Sequence, residues 1–241
     1  MLVVSQILFQ SAKADVIADW TFQTSAPSGL RLPGVWFTNI VPEIGSGTAS
    51  AFHAGTSLYS GSLPTGNGSS RSFNSTNWLV GDFYQFSVST IGFQGITVAY
   101  DQTGSATAPR DYALQYSIDG SAFSTFGSTY IVLTNGTSLN NEGTGQSTAP
   151  WTSGSVQSAF NNSFDLSSIT SLNNDPTIYF RIVVADAISE AGGSIGAFGD
   201  DRLDNFIVNG TVALAPEPSA FALAILGGVA WFLRLKRQEQ L

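Results

Sequence analysis

The 241-residue chain has no cysteine, one histidine, one methionine, and no lysine between Lys13 and Lys236. Without cysteine there are no disulfides and no thiolate metal centres. With His53 as the single histidine, a His-rich zinc site is excluded, and a Ser-His-Asp triad would have to be built around that one ring. His53 sits in Ala51-Phe52-His53-Ala54-Gly55 with no nucleophile-elbow motif beside it, and reads as a hydrogen-bonded structural residue at a strand end. No motif for nucleotide, flavin, haem or iron–sulfur binding is present. Charge is scarce, 11% of residues, and one-sided. From Asp15 to Val212 the cations are Arg31, Arg71, Arg110, Arg181 and Arg202, set against fifteen carboxylates. Such a surface repels phosphate backbones, so nucleic acid is not a partner. Solubility then rests on Ser, Thr, Asn and Gly, and stability on a packed core to which 17 phenylalanines contribute.

Alternation of period two runs through the body of the chain, and no amphipathic helix is evident. Tyr84, Phe86 and Val88 share a face within Asp82 to Val88; so do Ile96, Val98 and Tyr100. Tyr112, Leu114, Tyr116 and Ile118 repeat the pattern, as do Ile178, Phe180, Ile182 and Val184. This is the signal of half-buried strands. Asp119-Gly120 predicts a tight type I′ hairpin into Ala122 to Phe126. Asp15 to Gln23 and Arg202 to Val212 are expected as first and last strands, which in jelly rolls often pair. Gly45 to Asn77 and Asn135 to Gly154, rich in Gly, Ser, Thr and Asn, read as surface loops. The predicted fold is all-β: an antiparallel two-sheet β-sandwich, jelly-roll-like, over residues 15–212, followed by one C-terminal hydrophobic helix.

Two segments resemble jelly-roll domains of carbohydrate-binding and concanavalin-like type. Tyr116-Ser117-Ile118-Asp119-Gly120-Ser121 is similar to the Y-S-x-D-G hairpin of such sandwiches. Arg202-Leu203-Asp204-Asn205-Phe206 resembles their last strand, where a D-N pair precedes alternating hydrophobics. The resemblance implies the fold and a sugar ligand.

The last 26 residues, Pro216 to Leu241, carry a different message: Pro216-Glu217-Pro218, an apolar run, then Arg234, Lys236 and Arg237. Ser219 to Leu233 contains no charge, and a helix over about 219–235 is apolar all round, unlike an amphipathic core helix. At ~1.5 Å per residue it is rather short for a ~30 Å hydrocarbon core. Trp231 is placed as an interfacial aromatic, Arg234 can snorkel, and the basic cluster keeps the terminus cytoplasmic. The prolines donate no backbone hydrogen bond and isolate this helix from the domain. Triplet, spacing and basic end together resemble the sorting signal, here residues 213–241, of the PEP-CTERM family of Gram-negative surface proteins. The resemblance implies an exosortase-type processing enzyme as partner, recognition at Pro216-Glu217-Pro218, loss of the transient membrane helix, and delivery to the cell surface or extracellular matrix. At the other end, residues 1–14 read as the remnant of an export signal: Met1 to Phe9 is largely apolar, and Ala12-Lys13-Ala14 fits a small-x-small cleavage site. The missing positive n-region points to a true start codon further upstream.

Candidate sites follow from residue type. Paired carboxylates hydrolyse glycosides, but Asp200 and Asp201 are neighbours, and on a strand neighbours face opposite ways. No catalytic residue is assigned. Asp200, Asp201 and Asp204, with Asp19 from a paired first strand, are candidate oxygen ligands for a structural Ca²⁺. Trp151, Trp78 and Trp36 lie in polar stretches and are candidate platforms for a sugar ring, Trp151 first; Trp20 is expected in the core. The leading expectation is a non-catalytic exported surface or matrix protein associated with exopolysaccharide. The alternatives are a carbohydrate-binding module with a loop tryptophan platform, and a glycoside hydrolase or lyase on the same scaffold.

Overall fold

The structure, a computed structural model, describes residues 14–24, 29–31, 34–55, 58–60, 65–134 and 150–213, without the side chains of 29–31, 34–39 and 58–60. The expected signal remnant, the Pro216-Glu217-Pro218 triplet, the helix at 219–235 and Arg234, Lys236 and Arg237 lie outside the described residues, Ala14 excepted. Among those described, no helix is long and apolar enough to cross a membrane.

The strands are β1 (Ala14–Trp20), β2 (Gly29–Arg31), β3 (Gly34–Ile40), β4 (Ile44–Gly45), β5 (Gly47–His53), β6 (Leu58–Ser60), β7 (Phe73–Ser75) and β8 (Phe83–Val88). They continue with β9 (Phe93–Gly104), β10 (Asp111–Ser117), β11 (Ser124–Ile131), β12 (Leu133–Thr134), β13 (Asn161–Asp165), β14 (Ile178–Val184) and β15 (Asp201–Val212). One sheet runs β12-β9-β15-β1-β4, with β13 on β9 and β7 on β15; the other runs β11-β10-β14-β8-β5-β3. A two-stranded ribbon, β2-β6, stands apart. Pairing is antiparallel except for β12 on β9. The fold is thus an antiparallel two-sheet sandwich in which first and last strands pair, Ala14 opposite Thr211 and Trp20 opposite Phe206.

The inner faces follow the alternation. Tyr84, Phe86 and Val88 of β8, Ile178, Phe180, Ile182 and Val184 of β14, and Ile96, Val98 and Tyr100 of β9 are buried together. Trp20 and Phe206 lie between the sheets, and Phe206 stacks on Phe86 at 3.5 Å between centroids and 3° between planes. Gly45 makes the close passage of β4 possible: at φ +79 a Cβ there would collide with the Ile17 carbonyl.

Two sequence expectations are corrected. Asp119-Gly120 is no two-residue hairpin: β10 ends at Ser117, β11 begins at Ser124, and only Gly120 has positive φ. The Asp119 carboxylate caps the longer loop instead, accepting from the Ser121 and Ala122 N–H groups at 2.8 and 2.9 Å. Ile118 consequently leaves the inner face and is half exposed. The stretch from Gly45 to Asn77 is no continuous loop, since it contains β5, which pairs with both β3 and β8. Ala49 and Ala51, its inward residues, are too small to register as hydrophobic periodicity.

Candidate functional site

β9 and β15 present Asp101 and Asp204 directly opposite each other. Tyr100 and Gln102 on either side of Asp101 face the core, so Asp101 points to the outer face of the first sheet. Asp204 joins it in regular register, facing out with Arg202 while Asp201 and Leu203 face in; β15 bulges only beyond it, between Asp204 and Ile207, where Asn205 at φ 51 donates to Asp101. The loop carrying Asn67 and Ser69 folds over both carboxylates. The Asn67 N–H and the Ser69 hydroxyl donate to Asp204 Oδ2 at 2.8 and 2.7 Å. Three amides, Asn67, Asn161 and Asn205, donate to Asp101 at 3.0, 3.0 and 2.8 Å. The Gln157 N–H, donating to Asn67 Oδ1 at 2.9 Å, fixes the orientation of that amide. Burial, helped by the charge of Asp101 and opposed by the hydrogen bonds from Ser69, Asn67 and Asn205, pushes Asp204 up to about 7.

Above this network lies a groove of about 440 Å³, lined by Asp19, Asp101, Val156, Ser158, Asn161, Asn205 and Ile207. It offers carboxylate, amide and hydroxyl groups beside two aliphatic side chains, a set suited to hydroxyl-rich ligands. Its side chains come from β1, β9, β13, β15 and the turn before β13. The amide positions are held from beneath, so the groove needs little rearrangement to accept a ligand. Sequence reasoning reached Asp19 and Asp204, but missed Asn67, Asp101, Asn161 and Asn205. The one local signal was the Asp204-Asn205 pair.

Trp78 and Trp151 are not platforms. Trp151 is 5% exposed and Trp78 2%, which withdraws both ring faces from any sugar. Each polar nitrogen is satisfied internally: Trp78 Nε1 donates to the Ser75 carbonyl at 2.9 Å, Trp151 Nε1 to the Thr65 carbonyl at 2.5 Å. Burying a large ring is favoured once its N–H has an acceptor. Trp36 lies on β3, and its side chain is outside the described part of the structure. Trp20 is fully buried in the core.

The four aspartates expected to share a cation are also separated. Asp200 accepts from Arg202 Nε at 2.8 Å and from Asn74 Nδ2 at 2.7 Å. Asp201 turns inward, where Gln102 Nε2 meets its two oxygens at 3.2 and 3.1 Å, while Asp204 and Asp19 belong to the outer face. Asp200 lies just before β15, Asp201 is its first, inward residue, and regular alternation from there sets Asp204 on the outer face opposite Asp101. Among the described residues no three His, Cys, Asp or Glu side chains converge as metal ligands.

His53 closes β5 between Ser75, whose Oγ is 2.9 Å from Nε2, and Asp82, whose Oδ2 is 3.1 Å from Nδ1. The order is that of a nucleophile, base and acid. All three residues are 0% exposed, and Trp78 lies against the imidazole at 4.1 Å between ring centroids. Asp82 is occupied in pinning backbone, accepting from the Ala54 and Leu79 N–H groups at 2.8 Å each. A substrate cannot reach a hydroxyl placed so. The constellation ties β5, β7 and β8 together.

No family model matches the chain, and no curated protein does. Among solved structures it is similar to TmCBM61 in complex with β-1,4-galactotriose, at 12% identity and a TM-score of 0.30, over 78% of this chain and 92% of that one. It is also similar to the K2 cleaved adhesin domain of Lys-gingipain, at 12% identity and a TM-score of 0.34, over 81% of this chain and 99% of the other. Likenesses this distant carry no argument about ligand or chemistry.

Proposed function

We propose that the chain is an exported, non-catalytic surface or matrix protein whose sandwich binds a neutral polysaccharide in the groove over Asp101. The observation that carries this reading is the groove's lining: Asp19, Asp101, Ser158, Asn161 and Asn205 in one depression beside Val156 and Ile207. Such groups bind sugar hydroxyls in competition with water best when held in place, and the hydrogen bonds from Asn67, Asn161 and Asn205 onto Asp101 hold Asp101, Asn161 and Asn205. The carboxylates, in a domain with few cations, disfavour anionic glycans, which leaves neutral or amino sugars.

Asp19→Ala and Asn161→Ala are each expected to weaken binding to the best neutral polysaccharide about tenfold or more, measured by affinity electrophoresis or calorimetry; the melting temperature stays almost unchanged in Asp19→Ala and falls by a few degrees in Asn161→Ala, where buried Asp101 loses a donor. Trp151→Ala acts through folding instead. Binding that survives both groove substitutions would remove the groove from the reading, and turnover of a glycan would replace binding with catalysis.

Delivery is read from the C-terminal tail: Pro216-Glu217-Pro218, the apolar run and Arg234, Lys236 and Arg237 act as a handle for an exosortase-type enzyme in a Gram-negative inner membrane. The mature protein is expected to lack the segment after the triplet, which its intact mass reports. Full-length chain accumulating in the inner membrane sinks this part alone.

A further inference from the structure

A second set of polar side chains lies where β9 ends and β15 begins, on the inner side of the sheet and away from the groove. Gly104, the last residue of β9, pairs with Asp201 of β15 on one side and with Thr134 of β12 on the other. In-register neighbours on adjacent strands project to the same face, so Asp201 and Thr134 flank a position that has no side chain. Glu190 occupies that opening: a Cβ on Gly104 would stand 3.2 Å from both its Cγ and its Oε1. The backbone sets it there, since the Glu190 N–H donates to the Ala108 carbonyl at 2.9 Å.

What distinguishes the cluster is its unmet oxygens. Glu190 Oε1 and Oε2, Thr134 Oγ1 and Tyr112 Oη have no hydrogen-bond partner, although Glu190 and Tyr112 are 0% exposed and Thr134 2%. Tyr112 Oη lies close enough to Asp201 for the two to interact electrostatically, without hydrogen-bond geometry. Native interiors satisfy such atoms, and a buried carboxylate with both oxygens unmet is the costliest case. The nearby guanidinium does not serve: Arg110 Nε and Nη2 are committed to Asp111 at 2.9 and 2.8 Å. A cation accounts for the arrangement. With the Glu190 carboxylate and the two hydroxyls unmet, and the Asp201 carboxylate held in place by Gln102 Nε2, the donors are oxygens with two acidic groups to balance charge, a set that suits a hard divalent ion. Ca²⁺, which takes six to eight oxygens in flexible geometry, fits such a mixed set better than Mg²⁺ with its strict octahedron.

We propose that Glu190, Asp201 and Thr134, with the Tyr112 hydroxyl beside them and waters completing the shell, form a buried calcium site. The site joins β9, β12 and β15 to the segment following β14. It is separate from the groove and does not depend on the groove's binding a glycan.

The test uses the full chain stripped with EDTA. Added Ca²⁺, at about a hundredfold over its Kd, is expected to raise the melting temperature by roughly 5–10 °C. Tb³⁺ is expected to bind once per chain, with luminescence sensitised by the adjacent Tyr112, and to be displaced by Ca²⁺. Glu190→Gln keeps the shape of the side chain, so the apo domain folds by circular dichroism while cation affinity falls at least about tenfold. Asp204→Asn, on the outer face, leaves affinity intact. Three results overturn the proposal: no stabilisation and no Tb³⁺ binding by the wild-type chain, full affinity in Glu190→Gln, or loss of binding in Asp204→Asn alone.

Discussion

Phe206→Ala is expected to destabilise the domain by about 3–5 kcal/mol, the cost of emptying a well-packed aromatic site that cannot collapse. Phe206 is fully buried and touches both sheets. It stacks on Phe86 of β8 at 3.5 Å and on Tyr100 of β9 at 5.7 Å, and meets the edge of Trp20 of β1 at 5.8 Å. Phe180 of β14 lies 6.4 Å away. Removing the ring takes contacts from four strands at once. Against a total stability of about 5–15 kcal/mol the loss is a large fraction. In calorimetry it appears as a melting temperature lower by roughly 6–20 °C for a domain of this size. Phe198→Ala is the control, since that ring is 82% exposed, and such a surface change stays within about 0.5 kcal/mol. A Phe206→Ala variant within 1 kcal/mol of the parent by urea titration would show that the sheets do not pack through this residue.

The second large effect is in pH, and its sign is opposite to ordinary acid denaturation. Burial is the main cause that pushes Asp201 and Asp204 up to about 7 and Glu190 up to about 10. For Asp201, the Gln102 amide and the nearby Tyr84 and Tyr112 hydroxyls pull downward and the Asp200 charge pushes upward. For Glu190, Asp201 and Asp111 push upward and Arg110 pulls downward. A carboxyl whose folded pKa lies above its unfolded one binds more protons when folded. Its contribution to stability is therefore full below about pH 4 and is lost as pH rises to about 7 for the two aspartates, and to about 10 for Glu190. Asp119 and Asp165, held low by hydrogen bonds within their own turns, work the other way, but both are fully exposed and weak. Each proton bound in excess over one pH unit is worth about 1.4 kcal/mol, or roughly 3–6 °C. In EDTA the melting temperature is expected to rise as pH falls from 8 to 5, and Asp201→Asn to flatten part of that slope. A melting temperature that falls over that range contradicts the buried, protonated state of these groups.

How much of this was legible in the sequence depended on side-chain size and on distance along the chain. β8, β9 and β14 announce themselves because large residues alternate with polar ones within each strand. β5 does not. Gly47–His53 presents Ala49 and Ala51 inward, since rings from neighbouring strands already fill the space, and a Cβ on Gly47 would come within 2.9 Å of the Trp20 ring. Trp78 and Trp151 looked exposed because their sequence neighbours are polar. Their burial depends on one carbonyl each, Ser75 and Thr65, the latter 86 residues away in sequence. The Asp119 loop shows the same limit: the right residues for a turn were visible, but the Ser117 and Asp119 side chains set its length.

By itself the sequence determined the all-β class and the acidic, cysteine-free character. These are sums over composition or patterns within a few residues, which local backbone physics reads directly. The tertiary structure alone decided where the carboxylates go. Asp200, Asp201 and Asp204 stand almost side by side in the chain, yet they end in an ion pair, in the core and on the outer face. Asp200 stays outside β15, Asp201 opens the strand facing inward, and strand register carries Asp204 to the outer face opposite Asp101 and beneath Asn67, the latter 137 residues distant, with a bulge at Asn205 adding a second amide beside them. Register and bulges are settled by packing between strands remote in sequence, so a run of acidic residues announces charge without announcing a site.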